Sequence, residues 1–170
     1  MTPNSWIYET REGDPEYWKK RMMSLCREFV FLQMINSENV IRLEEIIRTP
    51  NNYYCILEYA NGGSLQSLLN HWKRFPEPVA KEMIKQLIAG CSALYEKRVM
   101  HRDLKLDNIL IHFPDRSSSL TPAVIHNIDL ESERFLVKIA DLGYAREFKM
   151  NAEEDRACSF RGSPLMMPAE

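Results

Sequence analysis

Glycine is scarce in this chain of 170 residues: six in all, and only Gly13 comes before residue 62. No G-x-G-x-x-G loop therefore precedes Glu28, and the chain lacks that backbone cradle for phosphates there. Long apolar runs are missing too. None approaches the roughly 20 residues that cross a bilayer, and the first residues have no h-region of a secretory signal. The four cysteines (Cys26, Cys55, Cys91 and Cys158) are scattered with no C-x-x-C pair, which points to reduced, mostly buried thiols rather than disulfides or a metal site. Charge of either sign is nearly balanced, 22 Lys and Arg against 24 Asp and Glu, for a formal net charge of -2. That balance gives no electrostatic case for nucleic acid or a membrane surface as partner. The expected compartment is cytoplasmic, with the nucleus not excluded.

What is present suits one soluble domain with a single core: 45% hydrophobic and 27% charged residues. From Glu16 the apolar residues Trp18, Met22, Leu25, Phe29 and Leu32 recur at helical spacing. Trp6-Ile7-Tyr8 could form a strand before it. Val40 to Ile47 and Tyr53 to Tyr59 read as two strands around the turn Thr49-Pro50-Asn51-Asn52. Ser64 is a suitable N-cap for a short helix carrying Leu65, Leu68, Leu69 and Trp72. A longer helix follows Pro76 and Pro78, with Val79, Met83, Leu87, Cys91 and Leu94 as its inner stripe and Ile84 and Ile88 widening it. Ile109 to Ile111 and Phe135 to Ala140 are short apolar strands, separated by a polar insertion over residues 112–134 that is long for a structureless loop. The order of elements predicts an α+β fold.

The densest chemistry lies at His101-Arg102-Asp103-Leu104-Lys105-Leu106-Asp107-Asn108, running straight into an apolar strand. A carboxylate that can orient a hydroxyl, a cation and an amide oxygen stand at short fixed offsets, which are the groups phosphoryl transfer needs. The stretch resembles the H-R-D-L-K-x-x-N catalytic loop of eukaryotic-type serine/threonine protein kinases. The resemblance implies that Asp103 is the catalytic base, that Lys105 neutralises the transferred phosphoryl group, and that Asn108 is a Mg²⁺ ligand. It places Arg102 where a phosphate on the activation segment is bound. Asp141-Leu142-Gly143 after a strand resembles the D-F-G element, with Asp141 on the metal and Leu142 in place of the aromatic residue.

Gly162-Ser163-Pro164-Leu165-Met166-Met167-Pro168-Ala169-Glu170 resembles the end of an activation segment, with Pro168-Ala169 reversing the usual order. The resemblance gives Ser159 the primary phosphorylation position, to be modified by an upstream activating kinase, and puts Ser163 in the substrate-docking loop. As bare sequence, Ser159 reads equally as an ordinary exposed serine. Upstream, Glu28-Phe29-Val30-Phe31-Leu32 resembles the regulatory helix, with Glu28 the partner of an ATP-anchoring lysine, although a helix glutamate is more often a solvated charge. Leu57 to Leu65 resembles the hinge. Leu57 would be its gatekeeper, Glu58 and Ala60 would offer backbone groups to adenine, and Leu110 would floor the ring. Leu32, Leu43, His101 and Leu142 match the family's apolar regulatory spine.

The resemblance is incomplete at both ends. Counting back about 17 to 19 residues from Glu28, the separation usual in the family, reaches Arg11 or Glu9 rather than a lysine, and Lys19 and Lys20 lie too close. The chain is thus expected to be a partial protein-kinase-like domain over residues 1–170. Residues 28–60 would be the remnant of the small lobe and hinge, and 61–170 the first half of the large lobe through the activation segment. The function implied is ATP- and Mg²⁺-dependent phosphorylation of a protein Ser/Thr hydroxyl, by a divergent member near the autophagy-initiating or calcium/calmodulin-related kinases. The alternative is an inactive pseudokinase or a truncated fragment acting through nucleotide or protein binding. Without lid, lysine and C-terminal helices, weak activity, marginal folding and an uncovered face on the 79–96 helix are expected.

Overall fold

The structure, a computed structural model, describes residues 28–49, 53–117 and 120–148. The expectations for Trp6 to Tyr8, for residues 16–27, for Ser159 and Ser163, and for the segment 162–170 lie outside these residues. A helix at 28–34 (α1) buries Phe31 and Leu32, and Ile35 just beyond it, while Val30 and Met34 face outward. An antiparallel ribbon follows, β1 (Leu43–Arg48) against β2 (Tyr53–Leu57). Val40, expected inside the first strand, instead makes an isolated parallel bridge to Ile139. The Ile41 amide donates to the Ile139 carbonyl and the Ile139 amide to that of Asn39, both at 2.9 Å. That stitching uses the backbone groups that would otherwise extend β1 backwards.

Ser64 does cap α2 (Leu65–Trp72), its hydroxyl accepting from the Ser67 amide at 3.2 Å. The long helix α3 (Glu77–Glu96) starts beside Pro76 and buries Val79, Met83, Gly90 and Leu94. Leu87 and Cys91 pack against the core from its edge. Ile84 and Ile88 do not widen this stripe: they are 55% and 60% exposed. Each sits about 100° round the helix from Met83 or Leu87, past the edge of the face that meets β5. Gly90 sets how closely α3 approaches, because a Cβ there would lie 2.7 Å from the Asn39 carbonyl oxygen and 2.9 Å from the Ile139 side chain.

Two more ribbons complete the architecture. β3 (Val99–Met100) pairs with β6 (Arg146–Glu147), and β4 (Ile109–His112) pairs with β5 (Leu136–Ile139), both antiparallel. β3 leads into the loop that ends at β4, and β5 into the loop that ends at β6. Pairing these strands two by two forces the loops 101–108 and 140–145 to lie side by side, and this nesting builds the site.

The stretch 112–134 is not a bare loop. Phe113 is fully buried, a short helix α4 (Pro122–His126) accepts the Trp72 indole N–H through the His126 carbonyl at 3.1 Å, and Ile128 and Leu130 enter the core beside Phe135. Arg116 forks onto both oxygens of Glu133, at 3.0 and 2.7 Å, and closes the excursion at its base. Polar composition masked three apolar anchors. Among the described residues the core has two parts, one around Ile111, Phe113 and Val137, the other around Phe31, Leu32, Ile139 and Leu142. Cys55 and Cys91 are half-buried. Among the described residues no helix is long and apolar enough to cross a membrane.

Candidate active site

Asp103 is 4% exposed, at the start of the loop into β4. Its carboxylate Oδ2 takes the Lys105 ammonium at 2.9 Å and the Asn108 side-chain N–H at 3.1 Å, and the same amide nitrogen also donates to the Asp103 carbonyl at 2.9 Å. Both amide hydrogens of Asn108 are thereby used, which orients its Oδ1 away from Asp103 as an oxygen donor. Hydrogen bonding to Asp103, before any other influence, holds the Lys105 ammonium above the ordinary lysine value. The three residues predicted as catalytic form one network.

The second loop is pinned to the first by backbone and by His101. The Ala140 amide donates to the Asn108 carbonyl at 2.9 Å, setting Asn108 against the residue before Asp141. His101 is buried; its Nδ1 accepts from the Asp103 amide at 3.2 Å, so Nε2 carries the proton and donates to the Ala140 carbonyl at 3.0 Å. Burial lowers the His101 pKa, which keeps this tautomer neutral. Arg102 donates from Nε to the Tyr144 carbonyl at 2.8 Å. It is therefore placed at the turn after Asp141, and its expected phosphate partner Ser159 is outside the described residues.

Asp141 has φ of 63° and Arg102 φ of 67°, both in the left-handed region that side chains avoid. Asp141 is solvent-exposed, and its Oδ1 accepts from the Gly143 amide at 3.1 Å. With Asn108 Oδ1 it supplies hard oxygen donors, the chemistry Mg²⁺ selects, and a metal held by few protein groups plus phosphates and water suits that ion. The donor set fits Mg²⁺. Among the described residues no group of three or more His, Cys, Asp or Glu could hold a metal by itself.

Glu28 of α1 reaches the same turn. Burial first, then the neighbouring Asp141 carboxylate, push its pKa up to about 7, partly offset by a hydrogen bond from the Leu142 amide. Leu142 is 1% exposed and shares a cluster with Leu32, against which Leu43 packs. Three of the four spine residues thus meet, and the fourth, His101, is buried alongside. Leucine fills the place of the family's aromatic residue without leaving the core.

The residues expected to form the hinge follow directly from β2. Leu57, expected as gatekeeper, is 37% exposed at the end of β2. Ala60 is buried, and Glu58 uses its amide on the Arg42 carbonyl at 2.9 Å, so its carbonyl is the group it would offer to adenine. Leu110 is half-buried in β4, directly across the ladder from Lys138. Lys138 itself escaped the sequence reading. A charge inside the apolar run Phe135 to Ala140 was the available signal.

The comparisons with known proteins agree with this geometry. The family model described as "Protein kinase domain" matches residues 10–170. The chain is 37% identical over 147 residues to serine/threonine-protein kinase ATG1a of Arabidopsis thaliana, covering 86% of this chain and 20% of that protein. It is 34% identical over 152 residues to ATG1b of the same plant, covering 89% of this chain and 19% of the relative. A probable serine/threonine-protein kinase, fhkD of Dictyostelium discoideum, is 31% identical over 157 residues, covering 91% of this chain and 19% of that protein. The chain spans about a fifth of the length of these curated relatives. With loops 101–108 and 140–145 lying side by side and the family model matching residues 10–170, this chain belongs to the protein kinase domain family, on its serine/threonine side.

Proposed function

We propose that this chain carries the phosphoryl-transfer centre of a serine/threonine protein kinase, moving the γ-phosphoryl group of ATP to a Ser or Thr hydroxyl of a protein. The observation that carries the reading is the buried Asp103–Lys105–Asn108 network, joined through the Asn108–Ala140 backbone bond to the residue before Asp141. Asp103 would orient the acceptor hydroxyl and take its proton. Lys105, two residues away, would face the charge that builds on the transferred group. Asn108 and Asp141 would hold Mg²⁺, which neutralises phosphate charge when bound. The carbonyl of Glu58, the backbone of Ala60 and the side chain of Leu110 would seat adenine.

A second reading is favoured by one feature. The groups acting on Glu28 among the described residues are a carboxylate and an amide, Asp141 and Leu142, rather than a lysine. A chain that binds nucleotide or a protein partner without turning over would be built this way too. Calorimetry with Mg·ATP on the wild type and Asp141→Ala separates the possibilities. Binding that the substitution abolishes supports the site, and phosphorylation of a Ser/Thr peptide by the wild type supports the transferase over the binding-only reading. A wild type that binds no Mg·ATP overturns both uses of the nucleotide site.

A further inference from the structure

Lys138 is 3% exposed in the middle of β5. A lysine so deep in protein needs partners for its charge. It donates to Glu58 Oε1 at 2.7 Å and to the Glu38 carbonyl at 2.8 Å. The other oxygen of Glu58, Oε2, accepts from the Arg42 amide at 3.2 Å, while the Glu58 amide donates back to the Arg42 carbonyl at 2.9 Å. One carboxylate therefore ties together the segment 38–42, the first residue of the hinge, and β5. Lys138 also lies opposite Leu110, and partners across an antiparallel ladder share a face. Three residues further along β5's chain comes Asp141.

We propose that Lys138 and Glu58 form a positioning pair. It fixes the hinge backbone, which would read adenine, relative to the floor at Leu110 and the strand that delivers the metal ligand Asp141. This inference rests on the reading given under Proposed function and extends it to residues on the far side of the hinge. The pair borders a cavity of about 190 Å³, also lined by Ile35, Arg42, His112, Pro114 and Leu136. His112 Nδ1 is buried there with no hydrogen-bond partner among the described residues, and burial followed by the Lys138 charge disfavours protonation of the ring. The imidazole thus adds no competing cation beside Lys138, and the Glu58 carboxylate stays committed to it.

An ion pair is a costly way to fill space, because apolar side chains of similar volume hold a core as well or better. What it adds is direction. Removing one partner leaves the other charge buried and frees the hinge residue it was holding. The nearby bonds from the Asn39 side chain to the Val137 carbonyl at 2.9 Å, and from Gln86 Oε1 to the Val137 amide at 2.7 Å, keep β5 itself in place. The expected defect is therefore local to the hinge.

The test measures two things in the full chain: binding of Mg·ATP by calorimetry, and hydrogen exchange at the Glu58 amide with no nucleotide present. Lys138→Met should raise the Mg·ATP Kd about tenfold and speed exchange at Glu58 about tenfold. Lys138→Arg should keep both within about threefold of wild type, since it restores the cation. The turnover rate at saturating ATP, and the KM for a peptide substrate, should move less than either. Glu58→Gln, which keeps the side chain's shape, should act in the same direction as Lys138→Met and replaces it if that variant does not fold. Lys85→Met, which removes an exposed cation 3.4 Å from Glu82, is the matched control and should change neither quantity. Unchanged affinity and unchanged exchange in Lys138→Met overturn the proposal. If the wild type binds no Mg·ATP, the function above fails instead, and exchange at Glu58 alone then decides: acceleration supports the pair, no change overturns it.

Discussion

The ribbons β1–β2 and β4–β5 are built alike, each two short antiparallel strands, yet they have opposite surroundings. In β4–β5, Ile111, Val137 and Ile139 are wholly buried, and α3 covers the pair. In β1–β2, Ile46, Ile47, Ile56 and Leu57 are between 37% and 42% exposed. The first ribbon is held on both faces, so its ends project loops with fixed geometry, and those loops carry Asp103, Asn108 and Asp141. The second is held through its edges, by the Arg42–Glu58 backbone bond and the stitching of residues 39–41 to β5. The residues proposed for chemistry sit on the rigid ribbon, and adenine would be held between its Leu110 and the backbone that follows the looser one. The difference teaches that the residues proposed for transfer rest on one support, whereas the proposed adenine contacts are divided between both, Leu110 on the buried ribbon and Glu58 and Ala60 beyond the exposed one.

The sharpest way to break the comparison is at the chemistry itself. Asp103→Asn should lower the peptide phosphorylation rate by about a thousandfold, the scale of a lost general base. Its Mg·ATP affinity should stay near wild type by calorimetry, because the proposed adenine contacts Glu58, Ala60 and Leu110 and the proposed metal ligand Asp141 all remain. A matching loss of affinity would mean that the two supports are one. Next in size is packing. Ile139→Ala in the buried ribbon should cost about 3 kcal/mol in chemical denaturation, and Ile47→Ala in the exposed ribbon less than about 1 kcal/mol. Equal costs would erase the distinction drawn from burial.

The smallest effect reports on the junction between the two regions, where Glu28 meets Asp141. The folded value of Glu28, about 7, is above its ordinary 4.5. The folded state therefore holds more protons than the unfolded state between those values, and stability falls as pH rises through that window. Wild type should lose about 2 kcal/mol through this group between pH 4.5 and pH 8, after allowance for partial solvent access. Glu28→Gln should lack that slope in urea melts taken across the range. An unchanged slope would move the titrating group elsewhere.

Much of the site was legible because its residues are close in sequence. His101 to Asn108 and Asp141 to Gly143 are short motifs whose spacing carries their chemistry, and the structure brings them together as the resemblance implied. The Ser64 cap and the extents of α2 and α3 followed from local rules of the same kind. What stayed hidden depends on residues far apart in the chain. Lys138 and Glu58 are joined only because β5 passes behind the hinge. Gly90 looks like any helix glycine until Asn39 packs on it. The exposed Ile84 and Ile88 satisfy a periodic pattern perfectly well, since periodicity states which residues share a face but not how far the neighbouring element reaches. In residues 112–134 polar composition outweighed Phe113, Ile128 and Leu130, although three separated apolar residues are enough to tie an excursion into a core.

Asp141 pays for its place with a left-handed backbone. Glycine would adopt that conformation freely but supplies no carboxylate, whereas aspartate visits it at a cost that the Gly143 amide on its Oδ1 partly offsets. Stability and phosphate chemistry therefore pull this position in opposite directions. A laboratory selection for thermal tolerance alone should drift towards Gly at 141, yielding sturdier molecules that have shed the ligand Mg²⁺ would need.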